Sequence, residues 1–139
     1  NSKESGLIAI MLFNDVKADA GGTALSVGSH VTVSQILLGA ESGLKGSEVS
    51  HEAIKRIRNH EVDQAIGDAG DVYLVHPFLV HARGKNLGEN VGDVRFMCNP
   101  NIELIRPMRF TKERLRRGRF QGAFTPVEQA IVNAVSGDG

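Results

Sequence analysis

At 139 residues the chain is long enough for one domain with a substantial core and too short for two ordinary ones, so a single domain over residues 1–139 is expected. Sixteen basic and sixteen acidic residues cancel, which argues against a general nucleic-acid binder. No apolar run approaches the roughly 20 residues of a membrane span, and the polar opening NSKESG has neither the basic stretch nor the apolar core of a secretion signal, so a cytoplasmic location is expected. The lone cysteine, Cys98, cannot form an internal disulfide or a thiol-rich zinc site and reads as a small buried apolar residue.

Residues 7–13, LIAIMLF, form a continuous apolar run between Gly6 and Asn14-Asp15, the length and flanks of a strand buried on both faces. Gly21-Gly22 marks a turn before a second short strand, TALSV, closed by Gly28-Ser29-His30. Residues 31–38 suit a short helix, and residues 39–47 read as a surface loop. From Ser50, HEAIKRIRNH places Ala53, Ile54 and Ile57 on one side and the charges on the other, an amphipathic helix expected to pack outside a sheet.

The second half is mainly strand. A short extended piece over residues 62–66 leads into DVYLVHPFLVHAR, where His76-Pro77 must break the ladder, because proline lacks a donor and restricts its predecessor. A polar loop over residues 84–92, the strand VRFMC and an extended piece over residues 102–105 come next. Thr125-Pro126-Val127-Glu128 is a capping box with proline at the first helical position, and Ile131, Val132 and Val135 continue the apolar face of a terminal helix. Many short strands with Gly-rich turns and a few helices predict a mainly β domain with peripheral helices, a jelly-roll barrel or sandwich.

Charge is uneven within the neutral total. Between Arg106 and Arg119 stand seven Arg or Lys and one Glu, a surface facing solvent or substrate, or an anion patch, but one that matches no nucleic-acid-binding motif. Of five histidines, His51 and His60 bracket the charged helix and are expected to face solvent, while His30 is expected to fix the turn after the second strand. His76 and His81 lie in the most apolar stretch of the second half, where a polar side chain needs a definite partner. His76, at the bend, suits a bond to backbone. His81 sits at a strand end entering a loop, the usual place for a ligand carried on a rigid scaffold. Arg95, beside Phe96, needs an anionic partner if buried; a protein carboxylate and an exogenous dicarboxylate are equally compatible with the residues themselves.

The stretch GDVYLVHPFLVHARGKN, with RFMCNP and RPMRF after it, resembles the distal half of the phytanoyl-CoA-hydroxylase-like family of dioxygenases. GGTALSVGSH and LFNDVK upstream and FTPVEQAIV at the end extend the resemblance over nearly the whole chain. It implies a double-stranded β-helix, the cupin-like jelly roll, and an Fe(II)- and 2-oxoglutarate-dependent dioxygenase that hydroxylates a small molecule. Iron in that family is held by two histidines and one carboxylate. Residue by residue, the second histidine of HPFLVHA, His81, becomes an iron ligand, and Arg95 the partner of the far carboxylate of the co-substrate 2-oxoglutarate. No further catalytic residue is assigned. A small hydroxyl residue is usual two places after the metal histidine; Arg83 stands there instead.

The family's His-x-Asp pair is absent: no histidine here has an aspartate two residues later. The chain begins with Asn1 in a segment that resembles the family's sequence soon after that motif, so it is expected to be the C-terminal portion of the oxygenase domain, incomplete at its N-terminus. Missing strands would leave open edges, for which a homodimer is the expected cover. The alternative function is a non-catalytic jelly-roll binding or assembly module, in which Arg95 holds an anion without redox chemistry.

Overall fold

The computed structural model describes residues 5–40, 43–87, 94–106, 108 and 124–136. Its centre is β1 (Leu7–Leu12), the apolar run expected to be buried on both faces. Ile10 is fully buried and Leu12 and Ala9 nearly so, whereas Phe13, which the run included, lies beyond the strand and is exposed. Burying a side chain the size of Ile10 contributes about 1.5–3 kcal/mol, so this strand anchors the domain. β1 pairs antiparallel with β4 (Val72–Val75), in the register Ile8↔Val75 and Met11↔Val72. Its other edge meets β6 (Met97–Cys98), with Leu12↔Met97, and β7 (Asn101–Ile102), with Leu7↔Ile102.

A second antiparallel sheet has β2 (Thr23–Ser26) between β3 (Val62–Ala65) and β5 (His81–Arg83). Thr23 faces Ala65 on one side and Arg83 on the other, and Leu25 faces His81. The break at His76-Pro77 divides the chain between sheets: β4 ends at Val75 in the first and β5 begins at His81 in the second. Ile8, Ile10, Leu12 and Val75 from one sheet meet Leu25 and Ala65 from the other in a single apolar core, so the two sheets face each other.

Three helices among the described residues complete the domain: α1 (Ser29–Leu38), α2 (Gly46–Arg56) and α3 (Pro126–Ser136). His30 therefore lies in the first turn of a helix and not in a turn that closes β2. The helix expected after Ser50 begins earlier, because the Glu48 carboxylate accepts a bond from the Lys45 N–H at 2.7 Å and starts the helix there. It packs on α1 through Ala53, with Val33 and Ile36, and Phe78 and Val80 extend that cluster, while Ile54, expected on the apolar side, is exposed. The α3 capping box forms as expected: Thr125 Oγ1 accepts from the Glu128 N–H at 3.3 Å and Glu128 Oε2 accepts from the Thr125 N–H at 3.0 Å. Each such cap is worth about 1 kcal/mol.

Helix and strand are present in comparable amounts, a mixed architecture within the mainly β expectation, and the two sheets do not close into a barrel among the described residues. The strand VRFMC shortens to β6, which leaves Arg95 half-buried just outside it and Phe96 exposed. Cys98 is half-buried and not part of the core. His60 is not fully solvent-facing either, since its Nδ1 is buried, without a hydrogen-bond partner among the described residues. The basic segment after Arg106 lies outside the described residues apart from Met108, as does much of the loop over residues 84–92. No described helix is long and apolar enough to cross a membrane.

Candidate functional site: a cavity holding His81 and Arg95

Between the β5 edge of the second sheet and β6 of the first lies a cavity of about 510 Å3, lined by Thr23, His81, Arg83, Arg95, Met97 and Cys98 among others. It is open to solvent: His81, Ala82, Arg83 and Asn99 are exposed and only Thr23 of the lining residues is buried, so His81 does not lie in the apolar surroundings expected from its stretch of sequence. Two side chains singled out separately along the sequence, His81 and Arg95, thus line one cavity. Thr23 ties the sheets together at its floor, where its buried hydroxyl donates to Met97 Sδ at 3.4 Å.

The strand carrying His81 is fixed from behind. Fully buried Ser29, at the start of α1, accepts a bond from the Val80 N–H at 2.8 Å, and the Val80 carbonyl accepts from the Ser26 N–H at 2.9 Å. The His81 ring is oriented by the Leu79 carbonyl, 2.9 Å from Nδ1. A carbonyl oxygen only accepts, so Nδ1 carries the proton, and in the neutral ring Nε2 keeps its lone pair. Nε2 has no partner among the described residues. A backbone carbonyl on one ring nitrogen with the other left open is the arrangement metal-binding imidazoles use.

Arg95 is held by its neighbours more than by its own strand. Asn14, just past β1, brackets it: Asn14 Nδ2 donates to the Val94 carbonyl at 3.0 Å, and Asn14 Oδ1 accepts from the Phe96 N–H at 2.6 Å. The Phe13 N–H adds a bond to the Phe96 carbonyl at 2.8 Å. The guanidinium reaches toward β5, where Nη1 donates to the Gly84 carbonyl at 3.3 Å. Gly21, at φ +79°, makes the room: a Cβ there would come within 2.6 Å of Arg95 Nη1. Of the two partners open to Arg95, a protein carboxylate is not found, since the ion pairs among the described residues join Glu52 to Lys55 and Arg56. Asn14 is a site residue that the sequence does not single out, although it stands in the LFNDVK segment. Its signal, a polar side chain directly after a buried strand, reads equally well as a turn.

The remaining histidines lie elsewhere. His76 and His30 pack with their rings tilted by 41° and centroids 5.2 Å apart and are not among the described residues lining the cavity, and His76 makes the backbone bond expected of it, accepting from the Phe78 N–H at 3.0 Å on Nδ1. Burial and the neighbouring His30 push the His76 pKa down to about 4, with the Val127 backbone opposing in part. Among the described residues no hydrogen bond of normal geometry reaches its buried Nε2. His51 is exposed on α2. Among the described residues no three His, Cys, Asp or Glu side chains gather as a metal site, so His81 stands as a single donor. The site therefore fits an anion at Arg95 but does not complete a three-ligand iron centre. The chain matches no family model, no curated protein and no solved structure.

Proposed function

We propose that this chain carries the co-substrate half of an Fe(II)- and 2-oxoglutarate-dependent dioxygenase site on a jelly-roll scaffold. In this reading Arg95 binds the far carboxylate of 2-oxoglutarate and His81 is one iron ligand. The observation that carries it is the convergence of His81 and Arg95 on one cavity, with the imidazole Nε2 open and the guanidinium without an ionic partner among the described residues. Two facing antiparallel sheets around a shared core support the jelly-roll reading. The planar guanidinium fork suits bidentate pairing with a carboxylate, which provides orientation as well as attraction.

The oxidation needs two further protein ligands, and no step of it is assigned to the residues described here. That same shortage favours a second reading, a binding module that holds a dicarboxylate on Arg95 and does no redox chemistry. Titration of the whole chain with 2-oxoglutarate, for wild type and Arg95→Lys, tests the part common to both. The lysine keeps the charge and loses the fork, so binding should weaken by roughly 1.5–3 kcal/mol, the range for charge-assisted bonds. Equal affinity in the two proteins would remove Arg95 from the site. Mn(II), titrated in parallel, separates the readings: a contribution of His81 to metal binding, lost in His81→Ala, favours the dioxygenase, and its absence favours the binding module.

A further inference from the structure

Arg83 stands where the resemblance leads one to expect a small hydroxyl residue, and its surroundings give it a use. Strand alternation places it on the same face of β5 as His81, two residues apart. Opposite it in the register is Thr23, whose hydroxyl reaches across to Met97 of the first sheet, and opposite His81 is Leu25, a core residue. The face of β5 bearing His81 and Arg83 therefore borders the cavity, with both side chains exposed at its open side. Arg83 and Arg95 both line the cavity, and none of its described lining residues is Asp or Glu. Neither arginine forms an ion pair among the described residues. Two like charges lining one open cavity without a counter-charge repel each other weakly through solvent, and an anionic ligand between them reverses the sign of that interaction.

We infer that Arg83 is a second anion anchor, which selects a substrate bearing its own carboxylate beside the dicarboxylate held by Arg95. The inference rests on the assignment of Arg95 above and names the substrate class of the same site. A small dicarboxylate occupies only part of a cavity of about 510 Å3, so there is space for the second molecule.

The probes are hexanoate and its uncharged counterpart hexanamide, titrated into the full chain by NMR in two backgrounds. In the first, wild type is saturated with 2-oxoglutarate to occupy Arg95; in the second, Arg95→Met is used without it. Hexanoate should bind about ten-fold more tightly than hexanamide, the discrimination expected of one charge-assisted bond. Adding Arg83→Met should abolish that preference, and Arg83→Lys, which keeps the charge, should keep part of it. If wild type cannot be saturated with 2-oxoglutarate, the functional proposal fails, while the Arg95→Met background still reads Arg83 alone. Equal binding of acid and amide there, or a preference that survives Arg83→Met, would overturn the inference and make Arg83 an exposed charge that protects a sheet edge.

Discussion

Arg95 and Gly21 form a unit at the mouth of the cavity, and the glycine is the more informative to change. At φ +79° an L side chain is strained, and a methyl group would meet Arg95 Nη1 at 2.6 Å. The left-handed conformation costs about 1 kcal/mol for a non-glycine residue. The closest clash falls on the far end of a flexible side chain and is relieved by moving the guanidinium, while the Asn86 backbone N, 3.1 Å from the same methyl group, must also give by a few tenths of an ångström. Gly21→Ala should therefore lose about 1 kcal/mol of stability in denaturant unfolding and weaken 2-oxoglutarate binding by more than that loss explains. A variant less stable but equal in binding would show that Arg95 does not need this space. His81 and Arg95 are legible as site candidates from residue type and apolar context. Asn14 is not, because its role depends on meeting residues 94 and 96, far along the chain and brought close only by β1–β6 pairing.

Among the elements, the bend between β4 and β5, where His76 meets His30 of α1, contains a pH-dependent feature. His76 accepts the Phe78 N–H on Nδ1, so protonating it would remove that acceptor and place a charge beside His30 in a partly buried site. Its pKa is pushed down to about 4 from the ordinary 6.5, first by burial and then by His30, whose own pKa burial also lowers. The unfolded chain thus takes up these protons at higher pH than the folded one. The stabilisation is full above about pH 6.5 and is lost as pH falls from there through about 4. Denaturant midpoints measured across that window should decline for wild type and decline less steeply for His76→Phe, which cannot titrate. Parallel slopes would exclude His76 as the source. Elements with their own punctuation are legible in the sequence, among them β1, the break at Pro77 and the α3 capping box. The start of α2 is not, because Ser50 offers a conventional cap while the helix is in fact started by the Glu48 carboxylate on the Lys45 N–H. β6 is shorter than its apolar composition suggests, since composition does not reveal where a pairing partner ends.

For the whole molecule, two strands adjacent in the sequence, β4 and β5, belong to opposite sheets, and this crossing carries His81 to the cavity that Arg95 enters from the β6 side. No periodicity along the sequence reports such a relation between sheets. It arises from the shared core of Ile8, Ile10, Leu12, Leu25 and Ala65, which forces the inner faces together. His81 and Arg95 are accordingly read as one site built from both sheets. Its most direct test is an NMR titration of the full chain with 2-oxoglutarate that tracks the His81 ring and the Arg95 guanidinium resonances together. Both should shift along one saturation curve, and Arg95→Lys should move that curve to higher concentration. Saturation that leaves either residue unperturbed, or two separate curves, would contradict that reading.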